Sequence, residues 1–107
     1  MVLRPEHKLV LKEAIETFGD DHQIDLWFEE SAELTKELCK TRRCIGDPYA
    51  LAEEIADCKI MLAQLEMIFA NKYLVRDIVG AKIKRLAETI EKEKTKNGRS
   101  EVDQDRH

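Results

Sequence analysis

The sequence contains few of the residues that interrupt or cross-link a polypeptide chain. Its 107 residues include only two prolines, four glycines and three cysteines, and aromatic residues make up 6%. An odd number of cysteines without CxxC spacing argues against a disulfide framework and favours free thiols in a reducing compartment. Scarce proline and glycine, combined with 37% charged residues, favour an all-helical fold.

Long apolar segments and an excess of positive charge are also lacking. The longest apolar runs, 60–63 and 67–70, are far too short to span a bilayer, and no apolar segment of signal-peptide length lies near the amino terminus. The net charge of −4 and the short basic runs argue against a nucleic-acid backbone as the main partner. We therefore expect a soluble, cytoplasmic protein that binds neither membrane nor nucleic acid.

Hydrophobic periodicity predicts four amphipathic helices. They cover about residues 6–18, 22–42 and 48–70, and a fourth helix begins near residue 74 and fades over 91–96. The polar residues 96–107 are predicted to form a disordered tail, so that 1–95 make up a single helical domain. One protomer of this size cannot cover its third and most apolar helix on every side, which predicts a four-helix bundle completed by oligomerisation.

Local residues predict where the helices begin and end. Gly19 is expected to end the first helix, and Asp20 or Asp21 to cap the second. Asp47 followed by Pro48 is typical of a helix start, with the acid as N-cap and the proline in the first turn.

Two pairs of acids attract attention: Glu30 with Glu33, and Glu54 with Asp57. Residues three apart project from one helical face, but a chain this acidic contains further pairs with the same spacing on solvated faces. Angular position is more informative, because Glu54 and Asp57 interrupt the apolar stripe of the third helix, whereas the first pair lies at the edge of a stripe. Clustered inward carboxylates repel one another, and a divalent cation such as Mg²⁺ would relieve the repulsion. A buried acid–base network is the alternative.

Two basic residues are placed unusually on the fourth helix. Lys82 falls within its apolar stripe and Arg85 lies at the stripe's edge. Inward cations could pair with the acids directly, or could hold the phosphates that accompany Mg²⁺ in nucleotide sites. Lys82 could also extend its long side chain outward to solvent.

At these residues the sequence resembles the MazG-like, all-α nucleoside triphosphate pyrophosphohydrolases. Their EExxE and ExxD motifs match Glu29-Glu30-x-x-Glu33 and, after twenty residues, Glu54-x-x-Asp57. The context WFEESAEL and the later segment KIKRL are similar to short phage and Gram-positive bacterial members. The likeness covers about residues 6–91.

The resemblance implies cleavage of a nucleoside or deoxynucleoside triphosphate to the monophosphate and pyrophosphate, with Mg²⁺, or Mn²⁺ in its place. The implied metal ligands are Glu30, Glu33, Glu54 and Asp57. Glu29 would orient a ligand or the attacking water, while Lys82 and Arg85 would stabilise charge on the phosphates. The resemblance also implies a homodimer or homotetramer.

Recognition of the base and sugar is less well defined by the sequence. His22 and Gln23 could read polar base edges and Trp27 could stack on the base, although core packing also explains Trp27. The rival to the enzyme is a non-catalytic helical binding or structural module that retains the fold.

Overall fold

The computed structural model describes the backbone of residues 3–104 and the side chains of residues 3–98. Its helices are α1 (Pro5–Phe18), α2 (Asp20–Arg42), α3 (Pro48–Ile68) and α4 (Lys72–Gln104). Over residues 3–104 there is no β-strand, which confirms the predicted all-α class with four helices. Within the same range, every helix is too short or too polar to cross a bilayer.

Two of the predicted helix boundaries are confirmed. Gly19 ends α1 with a φ of 95°, a left-handed conformation that glycine adopts without steric cost. At the start of α3, the Asp47 side chain accepts a hydrogen bond of 2.9 Å from the Tyr49 N–H, and Pro48 is the first helical residue. The sequence predicted this N-cap.

The predicted cap of α2 was wrong. Gly19 is the N-cap residue, and no side chain caps the helix. Asp20 and Asp21 lie within the first turn, because α2 begins two residues earlier than expected. There their negative charge interacts favourably with the amino-terminal end of the helix dipole.

Helices α2 and α3 both end in a left-handed residue that is not glycine. Cys44 has a φ of 61° and Ala70 a φ of 49°. The N–H of Ile45 donates a hydrogen bond of 3.1 Å to the carbonyl of Lys40. After α3, the N–H of Asn71 donates the equivalent bond to the carbonyl of Glu66. These bonds are those of a Schellman motif, which satisfies carbonyls left free at a helix end.

Helices α1, α2 and α3 form one compact unit, in which α2 packs chiefly against α3 and α1 touches both. Five side chains in the described part of the chain are buried: Gln23, Glu37, Cys58, Met61 and Gln64. Three of the five are polar. The contact between α2 and α3 is therefore held by polar as well as apolar groups.

The second compact unit consists of α4, which we describe by itself. Its apolar stripe is exposed along the helix and comprises Leu74, Ile78, Val79, Ile83, Leu86 and Ile90. The helix continues to Gln104, well into the predicted disordered tail, whose residues 105–107 lie outside the described part. Residues 91–94 alternate Glu and Lys, which are strong helix formers, and Lys94 pairs with Glu91 at 4.0 Å.

Candidate metal centre

The candidate site lies where α2 crosses α3. The two helices are antiparallel, because Gln23 near the start of α2 contacts Gln64 near the end of α3, whereas Glu30 contacts Cys58 further toward its start. This arrangement brings the acidic residues in the middle of α2 opposite those in the first half of α3.

Three carboxylates meet at this position. Glu30, Glu54 and Asp57 each offer an oxygen, and these oxygens all lie within 4.8 Å of one another. All three residues are half-buried. Oxygens that bind one Mg²⁺ at about 2.1 Å are separated by about 3 to 4.2 Å in octahedral geometry, which is close to the upper limit of 4.8 Å on the separations in this cluster.

The environment of the cluster opposes its negative charge. Burial raises the pKa of Glu30 above its ordinary value, and the charges of Asp57 and Glu54 raise it further. Burial likewise raises the pKa of Glu54, with the charges of Asp57 and Glu33 adding to the effect. Glu30 and Glu54 are therefore harder to ionise than isolated glutamates.

Helices α1 to α3 supply no basic partner to the cluster. Across residues 3–71, neither lysine, arginine nor histidine forms an ion pair with Glu30, Glu54 or Asp57. The acid–base network considered as an alternative thus has no cation within this unit.

One oxygen of the cluster is both buried and without a hydrogen-bond partner. It is Oε2 of Glu54. A buried polar atom without a partner is costly, and it calls for a proton or a cation. An all-oxygen donor set with an unsatisfied member suits a hard divalent ion such as Mg²⁺.

The remaining two motif acids lie outside the cluster. Glu33 is exposed, although its charge contributes to the raised pKa of Glu54, so the two residues are close. Glu29 is also exposed. The structure therefore brings together three of the four predicted ligands and leaves the fourth at the rim.

Sequence reasoning missed Glu37, which lies beside the cluster. This residue is buried, pairs with Lys40 at 3.3 Å, and adds to the raised pKa of Glu54. The signal was available, because Glu37 follows Glu30 by seven residues, two helical turns along the same face.

Cys58 is a second neighbour of the cluster that the sequence did not single out for this position. Its buried thiol donates to the backbone carbonyl of Glu30 across 3.5 Å. Burial raises the pKa of the thiol, and the charges of Glu30, Glu54 and Asp57 raise it further. Cys58 therefore remains a neutral thiol that links α3 to α2.

The three predicted substrate-binding residues have different environments. Gln23 is 4% exposed, and its side-chain amide forms hydrogen bonds with both Gln64 and His22. His22 is exposed and stacks on Phe18, with ring centroids 5.4 Å apart. Trp27 is half-buried. The Gln23 amide thus takes part in packing α2 against α3, and substrate binding by any of the three residues stays a prediction.

Lys82 and Arg85 lie on α4, and both are exposed. Since α4 forms a unit of its own, their predicted role beside the carboxylates stays a prediction.

Comparison of the chain with protein-family models, with curated proteins and with solved structures gave no match.

Proposed function

We propose that this protein is a Mg²⁺-dependent nucleotide pyrophosphohydrolase of the MazG-like type, which cleaves a (d)NTP to the (d)NMP and pyrophosphate. The observation that carries the proposal is the cluster of Glu30, Glu54 and Asp57. Its oxygens lie within 4.8 Å of one another, and one of them is buried without a partner. The EExxE and ExxD motifs supply the link to nucleotide chemistry.

In this proposal the clustered carboxylates hold the metal. Glu30, Glu54 and Asp57 would hold it, and Glu33, which is exposed at the rim, would be a further ligand. Bound Mg²⁺ supplies charge neutralisation for the phosphate oxygens and lowers the pKa of a coordinated water. Mn²⁺, which accepts the same oxygen ligands, would substitute for it.

Other residues of the chain position the substrate and the water. Glu29 orients a ligand or the attacking water from the exposed end of the motif. Lys82 and Arg85 stabilise the charge that develops on the phosphates, where arginine forms paired hydrogen bonds and lysine acts as a point charge. His22 and Trp27 contact the base from the start of α2.

We further propose that the enzyme is a homodimer or homotetramer acting on free nucleotides in the cytoplasm. Large apolar side chains are exposed in both compact units, among them Phe28 at 63% and Ile55 at 41% on the first and Ile83 at 60% on the second. Apolar surface of this extent is typical of a subunit interface.

The test is an assay of pyrophosphate release from a panel of NTPs and dNTPs, with Mg²⁺ and with Mn²⁺. Wild-type protein should turn over at least one of them, whereas Glu54→Gln and Asp57→Asn should be at least about a hundredfold slower. Glu53→Gln is the matched control, because it removes the same charge from an exposed position of α3.

Two results would contradict the proposal. Absence of turnover with every nucleotide would exclude the enzyme and favour the non-catalytic helical module. Turnover that survives both substitutions would show that the reaction does not depend on this cluster.

A further inference from the structure

The two most deeply buried polar side chains in the described part of the chain contact each other. Gln23 on α2 is 4% exposed and Gln64 on α3 is 2% exposed. The Nε2 of Gln23 donates to the Oε1 of Gln64 across 2.8 Å. This amide pair lies away from the carboxylates and has no part in the chemistry proposed for them.

The hydrogen bonds around the pair fix the orientation of both amides. Nε2 of Gln64 donates a hydrogen bond of 3.3 Å to the backbone carbonyl of Leu11 on α1. A carbonyl can only accept, so the atom that bonds it must be the amide nitrogen. Oε1 of Gln64 is then left to accept from Gln23, and Oε1 of Gln23 accepts from Nδ1 of His22 at 2.7 Å. One directed chain of donors thus connects all three helices of the unit.

The amide pair and the acidic cluster are related by equal steps along the two helices. Gln23 precedes Glu30 by seven residues on α2, and Gln64 follows Asp57 by seven residues on α3. Because the helices are antiparallel, a contact between Gln23 and Gln64 places Glu30 opposite Asp57. A shift of one helix along the other would separate both pairs together.

Apolar contacts alone define this alignment weakly. The only buried apolar side chains between residues 3 and 98 are Cys58 and Met61, and methionine adapts readily to different surroundings. A shifted helix would instead leave two buried amides without partners, which is costly. Buried polar residues fix the alignment of coiled-coil helices for the same reason.

We propose that Gln23 and Gln64 are positioning residues, which fix the register of α2 on α3 and so hold Glu30 opposite Glu54 and Asp57 for a divalent cation. The part that concerns the cation rests on the function proposed above. The part that concerns the helix register stands independently of it.

The experiment replaces both amides by an apolar side chain of similar size, Gln23→Met with Gln64→Met. It is performed in a Cys39→Ser, Cys44→Asn background, in which Cys58 is the remaining thiol. Mn²⁺ affinity is measured by titration calorimetry, and Cys58 accessibility by its rate of labelling with a maleimide. Met61→Leu is the control, because it alters the same interface without removing an amide.

The double variant should remain folded, because neither amide is left without its partner, and the His22 ring that bonds Gln23 is exposed to solvent. Its Mn²⁺ affinity should fall by about tenfold or more, and Cys58 should be labelled faster than in Met61→Leu. If the double variant does not fold, Gln23→Asn takes its place, since its shorter side chain cannot reach Gln64.

A folded variant whose Cys58 labelling matches the control overturns the proposal, whatever its cation affinity. Faster labelling with unchanged Mn²⁺ affinity overturns the positioning role. If wild-type protein binds no Mn²⁺, the proposed function fails, while the labelling rates still decide whether the amides fix the register.

Discussion

The carboxylates of Glu30 on α2 and Asp57 on α3 approach each other within 4.8 Å, and no basic side chain of α1 to α3 pairs with either of them. Like charges this close in a half-buried position oppose the packing of the two helices. A fold optimised only for stability would place a lysine or an apolar residue there. The arrangement is expected where stability is exchanged for a binding site, and it makes the protein's stability depend on cations and on pH.

Mg²⁺ should raise the melting temperature of the wild-type protein. A cation that binds only the folded state stabilises it by about 2.7 kcal/mol when its concentration is about 100 times Kd. Glu54→Gln should lose most of this increase, and without Mg²⁺ it should melt above the wild type because a half-buried charge that neighbouring carboxylates repel has been removed. Thermal unfolding followed by circular dichroism, with EDTA and with Mg²⁺, measures both effects.

Glu53→Gln is the matched control for this comparison. It changes the net charge equally but lies on the exposed face of α3, so its response to Mg²⁺ should equal that of the wild type. A Mg²⁺ response that is the same in Glu54→Gln and Glu53→Gln would mean that the cation binds elsewhere.

Stability in the absence of divalent cations should fall as pH rises. The pKa values of Glu30 and Glu54 in the folded protein lie above the ordinary value of 4.5. Between 4.5 and the raised values, the folded state binds more protons than the unfolded state, so the free energy of unfolding decreases with increasing pH and stays lower above that window. Chemical denaturation in EDTA across this range measures the decrease, which Glu54→Gln should reduce.

Saturating Mg²⁺ should abolish this decrease in the free energy of unfolding with pH. The bound cation favours the ionised form of the carboxylates, which the folded protein without a cation disfavours. A pH profile that is identical in Glu54→Gln and Glu53→Gln would contradict the assignment of the effect to this cluster.

The sequence predicted the helices well because their signals are local. Gly19 and the pair Asp47-Pro48 determine boundaries by their own backbone chemistry. The inward orientation of Glu54 and Asp57 also followed from one helix, since the apolar neighbours that define its stripe are in the same segment.

What the sequence could not supply was the alignment between helices. Glu30 and Glu33 looked equivalent, and only the position of α3 puts Glu30 in the cluster and leaves Glu33 exposed. For the same reason the sequence did not predict the hydrogen bond between Gln23 and Gln64, which lie 41 positions apart in the chain. Contacts of this kind depend on register, which helical periodicity does not encode.

Alanine substitutions at Gly46 and Gly80 should have opposite effects on the stability of the protein. A Cβ on Gly46 would lie 2.9 Å from the backbone N and Cα of Thr41, whereas one on Gly80 would meet nothing within 4 Å. Gly46→Ala should therefore destabilise by about 1 to 3 kcal/mol through overpacking. Gly80→Ala lies inside α4 and should stabilise that helix by up to about 1 kcal/mol. Urea denaturation checks both, and equal effects of the two substitutions would contradict the close packing at Gly46.

Glycine should stabilise the protein at the two positions where α2 and α3 end. Cys44 and Ala70 have φ values of 61° and 49°, in a conformation that costs an L-residue about 1 kcal/mol or more and costs glycine little. Cys44→Gly and Ala70→Gly should each increase the free energy of unfolding by up to about 1 kcal/mol. Ala52→Gly is the control, because Ala52 is exposed within α3 and its replacement should decrease that free energy by a similar amount. A loss of stability in all three variants would show that the left-handed residues carry no strain that glycine can relieve.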